Sequence, residues 1–481
     1  MWSRRLQTIS SRFPSRARRY HSNSNILDDL SHRGLIQALT NRNSLDNVLR
    51  TKSQTIYAGV DPTASSLHIG HLIPLICLLH FQLHGHKIIP LIGGATGRVG
   101  DPSGRLTERQ PADTKRVEEN VVILTASLQR FFKQGLLYAQ SRVPSKADSF
   151  KEPSVLNNLD WNGSFTLLDF LQGVGIHSRV NTMLNRESVR SRLESRQGLS
   201  FTEFTYQLLQ AYDFYHLHQQ HGCTIQIGGS DQWGNIVAGL ELINKLNSHS
   251  TSTPQAHKEA FGITTPLLTT SNGQKFGKSA GNAVWLDPEL TSVFDFYQYF
   301  VKITDADVGK YLKLFTFLPT SEIDSIVEEH LQKPEKRIAQ HKLAEEVTEM
   351  VHGKASVARA RTMSELLFGS NYDSLRAQDI IATLKDDPRL VILRTPELLG
   401  SPIIKHASKY GLAASNSAAK NLVTSRGLYL NNRPIKDARR QIEPRDLLDG
   451  SFVVLRAGKD KLLVLVARPD DVDKDLGANL L

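Results

Sequence analysis

Two histidines three residues apart, His68 and His71, follow a short apolar run and open a segment that is apolar at helical spacing. Side chains at i and i+3 share one helical face. At a helix N-terminus they stand beside unpaired N–H groups and the positive end of the helix dipole, a setting that favours phosphate. Imidazoles placed there can donate hydrogen bonds to phosphate oxygens as negative charge develops. Gly70 between them lets a nucleotide approach the backbone closely. Alone, a His pair at this spacing is more often surface or core histidine, so the reading needs partners elsewhere in the chain.

The first partner is Lys275-Phe-Gly277-Lys278-Ser279, which begins 204 residues after His71. Its end is like that of a phosphate-binding P-loop, but that motif needs glycine at 272, where Asn272 stands. What remains is two lysines flanking a glycine in a polar segment, suited to charge growing on a leaving phosphate group. The second partner is the stretch Phe201–His221. Tyr206, Gln210 and Asp213 lie at i, i+4 and i+7 and share a face, while Phe204, Leu208, Ala211 and Tyr215 fall on the opposite one. A helix with an apolar back and a front made of a phenol, an amide and a carboxylate is built to read a polar ligand. An ordinary surface helix would carry Lys and Glu there.

The elements that must position these groups point to an α/β fold with a parallel sheet of the Rossmann type. Ile56–Val60, Lys87–Ile92 and Thr224–Ile227 read as strands, the last two closed by glycines. His68–Leu83 reads as a helix ending at Gly85, with Pro74 predicting a kink or a shortened first turn. Segments 142–155 and 247–258 read as polar loops. From about 290 to 388 helix follows helix. Beyond Pro402 come small basic helices, His406–Tyr410 and Ser415–Thr424, and then the β-rich runs Leu428–Leu430, Phe452–Leu455 and Leu462–Val466.

The expected organisation is therefore a leader at 1–24, an α/β domain at 25–288, an α-helical domain at 289–388 and a small basic α+β module at 400–470. The 481 residues carry a net charge of +10, unevenly spread. Residues 1–24 hold six arginines and no acid; residues 400–468 hold 13 Lys and Arg against 5 Asp and Glu; the tail 469–481 is net −3; the body between 25 and 399 is close to neutral. An Arg- and Ser-rich, acid-free leader with Trp2, Leu6, Ile9 and Phe13 at helical spacing describes a mitochondrial presequence and predicts the matrix as destination, the alternatives being a disordered basic tail that binds nucleic acid and a chloroplast import sequence. The basic module predicts a polyanionic partner, RNA first. No run approaches the roughly 18 apolar residues of a membrane span. Cys77 and Cys223 are too far apart in sequence for a CxxC site, and no His/Cys/carboxylate cluster predicts a protein-borne metal.

His68-Ile-Gly70-His71 followed by Lys275-Phe-Gly277-Lys278-Ser279 resembles the paired signature of class I aminoacyl-tRNA synthetases. Phe201–Asp213, then Gln226-Ile-Gly-Gly229-Ser-Asp231-Gln232-Trp-Gly-Asn, and Gly93-Gly-Ala-Thr-Gly-Arg-Val-Gly-Asp101-Pro-Ser-Gly, closely resemble tyrosyl-tRNA synthetases of the bacterial and mitochondrial type. The likeness spans about residues 40–470 and is densest from 56 to 280. It implies that Tyr57 and Asp213 bond the tyrosine hydroxyl, that Asp101, Tyr206 and Gln210 hold its ammonium, and that Gln226 and Gln232 lie near its carboxylate. It implies that Gly59, Asp61, Thr63, His68, Gly70, His71, Gly229 and Asp231 hold ATP and the adenylate, with Ser279 beside the lysines. Lys275, Lys278, Arg105 and Arg109 then stabilise pyrophosphate. It implies no permanently bound cofactor, Mg²⁺ arriving with ATP, tRNA(Tyr) as the RNA partner, and a homodimer. Arg105 stands where many relatives have Lys, and Ala58 where many have another small residue. A tryptophan-specific relative would lack the Tyr57–Asp213 pair. A small cytidylyltransferase shares the His-x-Gly-His signature, but not the length or the basic module. A second role in intron splicing, carried in some fungal relatives by added segments, is left open.

Overall fold

The computed structural model describes residues 25–104, 107, 112–143, 151–194, 198–249, 259–271, 278–279, 282–369, 372–385, 387–458 and 461–468. The leader at 1–24 and the loop residues Arg105, Arg109 and Lys275 lie outside them. The first sheet has six strands: β1 (Ala38–Leu39), β2 (Thr55–Val60), β3 (Lys87–Ile92), β4 (Leu156–Asn157), β5 (Cys223–Gly229) and β6 (Phe261–Thr265). Their order is β1-β6-β5-β2-β3-β4, parallel throughout except where β1 pairs with β6. The central strands are apolar runs covered on both faces, as parallel strands require. Chain order runs outward from β2 through β3 to β4, then resumes on the other side with β5. Such a switch point opens a crevice at the carboxyl ends of the strands.

Helix Ile69–Leu83 follows β2 and is almost wholly buried. It runs unbroken past Pro74, and its first turn is not shortened: His68 is the N-cap. Helix Phe201–His221 starts at the N-cap Ser200, whose hydroxyl accepts from Glu203 N, and stops at Gly222 with φ 62°. Its apolar back, with Leu208 and Ala211, packs on Ala238, Leu242 and Leu246 of helix Trp233–His249. A 29-residue helix, Thr114–Arg142, and strands β1, β4 and β6 were not foreseen from the sequence. One apolar core continues from helix Ile69–Leu83 through Thr114–Arg142 into the helices Val293–Val301, Asp305–Phe315 and Ile338–His352.

A two-residue hairpin, β7 (Lys278–Ser279) with β8 (Asn282–Ala283), precedes the helical region. The second sheet comprises β9 (Leu390–Arg394), β10 (Leu428–Leu430), β11 (Arg433–Pro434), β12 (Phe452–Ala457) and β13 (Lys461–Arg468), in the order β11-β10-β12-β13-β9. β9 pairs in parallel with β13, so this sheet begins ahead of residue 400, where the shift in composition had placed the start of the basic module. The apolar run Leu390-Val-Ile-Leu393 carried that signal; the charge count did not. One face of the sheet is covered by helices Ile403–Lys409 and Asn416–Thr424. The other face, with Phe452, Val454, Val464 and Val466, packs on Met363, Leu366, Leu375, Ile380 and Leu384.

Candidate active site

At the carboxyl ends of β2 and β5 lies a cleft of about 350 Å³. β2 and the turn after it contribute Tyr57, Gly59, Asp61 and Thr63; the start of the next helix contributes His68, Gly70 and His71. Asp101 enters from the segment after β3, Tyr206, Gln210 and Asp213 from helix Phe201–His221, and Gln226, Gly229, Asp231 and Gln232 from β5 and the turn beyond. These fifteen residues, spread over 176 positions of the chain, share one cavity. Lys278 and Ser279 stand at the start of the hairpin whose Ala283 also lines the cleft.

Tyr57 is 1% exposed, and among the described residues its hydroxyl has no hydrogen-bond partner. Burial first, and then the nearby Asp213 carboxylate, push its pKa well above the ordinary phenol value. Asp213 is equally buried. Its Oδ1 accepts from Trp161 Nε1 at 2.7 Å and Asn162 Nδ2 at 2.8 Å, and its Oδ2 accepts from Asn158 Nδ2 at 2.8 Å. A carboxylate has about four lone-pair sites; three are taken, which leaves one. Burial raises this carboxyl to about 7, against the three hydrogen bonds, which favour the ionised form. Tyr57 therefore offers a donor and Asp213 an acceptor, a pairing that suits a hydroxyl able to accept from one and donate to the other.

Higher in the cleft the polar groups are tied to one another. Asp61 accepts from Thr96 Oγ1 at 2.7 Å and from Tyr206 Oη at 2.8 Å. Asp101 accepts from Ser103 N at 2.8 Å and Gln232 Nε2 at 2.6 Å. Asn235 Nδ2 donates to Gln210 Oε1 at 3.2 Å and to Gln232 Oε1 at 3.1 Å. Gln226 is buried, and its Oε1 has no partner among the described residues. With Asp61, Asp101, Asp213 and Asp231 along its walls, the cleft has the charge to receive a cation such as an ammonium group. Gly93 is required here by geometry: a Cβ would come within 2.0 Å of Asp61 Oδ1 and 2.3 Å of Thr96 Oγ1.

At the helix start, His68 Nδ1 accepts from Gly70 N at 3.0 Å and His71 Nδ1 accepts from His68 N at 3.2 Å. The rings are stacked, with centroids 3.9 Å apart. An accepting Nδ1 puts the proton of a neutral imidazole on Nε2, so each ring carries its N–H donor there. The space the sequence reading reserved at Gly70 for a nucleotide is bounded on this side by the His68 ring: a Cβ there would lie 2.8 Å from its Cε1.

Sequence reasoning missed Asn158, Trp161 and Asn162, and gave no role to Thr96 and Asn235, which stand inside the two glycine-containing motifs. Asn158 is fully buried and also donates to Thr96 Oγ1 at 3.0 Å. A run of three asparagines and a tryptophan, Asn157-Asn158-Leu-Asp-Trp161-Asn162, is unusual at a loop's end and was the available signal. Among the described residues no three His, Cys, Asp or Glu side chains converge as a metal site would need. Among the same residues no helix is long and apolar enough to cross a membrane.

Residues 49–369 match the family described as tRNA synthetases class I (W and Y), the class that this sheet order, cleft and histidine-capped helix define. Residues 380–465 match the tyrosine–tRNA ligase SYY-like C-terminal domain. The chain is 43% identical to the tyrosine–tRNA ligase of Roseiflexus castenholzii over 437 residues, covering 90% of this chain and 97% of that one. It is 44% identical over 453 residues to the mitochondrial tyrosine–tRNA ligase of Saccharomyces cerevisiae, covering 92% and 89%. The solved structure of a C-terminally truncated mitochondrial tyrosyl-tRNA synthetase from Aspergillus nidulans superposes with a TM-score of 0.66 at 38% identity, over 72% of this chain and 95% of that one. The chain belongs to the tyrosine–tRNA ligases.

Proposed function

We propose that this chain makes tyrosyl-adenylate in the cleft and passes tyrosine to tRNA(Tyr) in the mitochondrial matrix as a homodimer. The observation that carries the substrate assignment is the buried pair of Tyr57, a donor without a partner among the described residues, and Asp213, an acceptor with one position left. The tyrosine hydroxyl accepts from the first and donates to the second. Its ammonium lies against Asp101, Gln210 and the Tyr206 hydroxyl oxygen, whose proton is already directed to Asp61. Gln226 and Gln232 face its carboxylate. ATP brings Mg²⁺ and lies along Gly59, Asp61, Thr63, Gly70, Gly229 and Asp231.

In the first step a carboxylate oxygen of tyrosine forms a bond to the α-phosphorus as the bond to the bridging oxygen breaks and pyrophosphate leaves. The carboxylate is ionised near neutral pH, so no general base is needed. The Nε2–H groups of His68 and His71 hydrogen-bond the phosphate oxygens, and Lys275, Lys278, Arg105 and Arg109, with Ser279, stabilise the charge on the departing pyrophosphate. In the second step the terminal adenosine hydroxyl of the tRNA attacks the acyl carbon and AMP leaves.

The matrix assignment rests on the acid-free, six-arginine leader and on the mitochondrial relatives. The dimer rests on one stretch, 167–201, that exposes Leu167, Leu168, Ile176, Val180 and Phe201 at 58–73%, an apolar surface of the kind that marks an interface. Residues 1–24 fused to a cytosolic reporter carry it to mitochondria, and the purified protein charges mitochondrial tRNA(Tyr) with tyrosine. A reporter left in the cytosol defeats the first part, and charging with tryptophan defeats the second.

A further inference from the structure

The segment that bears Lys275 and Lys278 is bounded at both ends by described residues. On its far side, β7 pairs with β8, and the chain then joins the histidine helix, where Ile69 N donates to Val284 O at 3.0 Å and Leu286 N to Leu67 O at 2.8 Å. On its near side the anchor is outside the cleft. Asp307, on helix Asp305–Phe315 and 5% exposed, accepts from Ser271 N at 3.1 Å through both carboxylate oxygens and from Ser271 Oγ at 3.0 Å. One turn along the same helix, Tyr311 Oη and Lys310 Nζ donate to the Thr269 carbonyl at 3.0 and 3.2 Å. Thr304 Oγ1 also donates to Asp307, at 2.9 Å, so this carboxylate closes the first turn of its own helix as well. Burial works to raise its pKa, but the hydrogen bonds from Ser271 and Thr304 prevail and hold it below the usual carboxylate range.

We infer that Asp307 is a positioning residue for adenylate formation. It holds Ser271, at the head of the segment that carries the two lysines, and it does so from a helix that packs on helices Thr320–Gln332 and Ile338–His352 rather than lining the cleft. The rate of the chemical step then depends on a residue that touches neither tyrosine nor ATP. Hydrogen bonds to a charged acceptor are the strong ones, and small displacements of a reacting group are costly in rate. The inference rests on the reading that Lys275 and Lys278 act on pyrophosphate.

The test uses the full chain, with single-turnover adenylate formation, equilibrium tyrosine binding and thermal unfolding measured for Asp307→Ala, Asp307→Asn, Thr304→Val and Lys278→Ala. Losing charge-assisted hydrogen bonds at Ser271 slows adenylate formation in Asp307→Ala about tenfold or more, with tyrosine affinity held within about twofold. Asp307→Asn keeps one acceptor and falls between. Thr304→Val loosens the same helix start and leaves the rate near wild type, which separates positioning from mere helix stability. A wild-type rate in folded Asp307→Ala, or a rate loss in Thr304→Val that matches its loss of stability, overturns the inference. If Asp307→Ala does not fold, Ser271→Ala removes one of the three contacts and leaves the helix whole; a slowed step supports the proposal and an unchanged one refutes it. A slow Lys278→Ala beside a normal Asp307→Ala refutes this inference alone. A normal Lys278→Ala refutes the lysine reading, and the inference with it.

Discussion

In the proposed reading Asp213 sets both the selectivity of the cleft and its response to pH. Removing the Tyr57 hydroxyl (Tyr57→Phe) deletes one donor to the substrate phenol and leaves a pocket that strands only Asp213, instead of two polar groups, when phenylalanine enters. Discrimination between the two amino acids falls about tenfold, the value of one buried hydrogen bond, while adenylate formation at saturating tyrosine changes little. Asp213→Asn loses more, because the amide also meets three donors built for a carboxylate. Steady-state kinetics with tyrosine and phenylalanine checks both; unchanged discrimination would discount the pair. Because burial lifts the Asp213 carboxyl to about 7, lowering the pH through 7 protonates it and removes the acceptor. The KM for tyrosine therefore climbs as pH falls from 8 to 5.5, and the climb is absent in Asp213→Asn. The sign for stability is opposite: a raised carboxyl favours the fold below its unfolded value near 4, a gain that disappears as pH rises to about 7. Tyr206, Gln210 and Asp213 were legible because the i, i+4, i+7 spacing of one helix displays them together. The groups that hold Asp213 were not, since Asn158, Trp161 and Asn162 meet it across 51–55 residues of chain, a distance that no local pattern encodes.

Among the elements, helix Phe201–His221 is held at its first turn by a fully buried ion pair, Arg192 Nη2 to Glu203 Oε2 at 3.0 Å. The same guanidinium donates to the carbonyls of Gly198 and Thr107, at 3.1 and 2.9 Å. Arg192→Met takes this cation away from the buried Glu203 and costs roughly 3–5 kcal/mol, whereas the double change with Glu203→Leu recovers most of it. Urea titrations of the two variants decide this, and equal losses in both would show that the pair is not the cause. The strands next to the cleft were legible as short apolar runs closed by glycine. β1 and β4, two residues each, are too short to show a period, and β6 was obscured by the polar segment before it. Helix Thr114–Arg142 carries Val117, Leu124, Leu128 and Phe131 at helical spacing, a readable signal that its charged first turns hid.

At the scale of the molecule, the second sheet is clothed on one face by its own helices and on the other by residues 363–384. Cutting after residue 399 strips β12 and β13 from β9 and from Ile380 and Leu384, and that product aggregates. Cutting after Gly369 removes the sheet together with most of its cover, and that product stays soluble and keeps pyrophosphate exchange while losing tRNA charging. Light scattering and the two activity assays compare them; a soluble 1–399 beside an aggregated 1–369 would reverse the packing argument. The charge distribution announced a basic module but misplaced its edge, because charge marks a solvated surface whereas the sheet is bounded by apolar pairing. The account as a whole stands on the cleft's choice of amino acid. ATP–pyrophosphate exchange, run with the purified full chain and each of the twenty amino acids in turn, measures that choice with no RNA present. Exchange with tyrosine far above the other nineteen, phenylalanine included, is the predicted result; exchange driven by tryptophan or phenylalanine as readily as by tyrosine would contradict it.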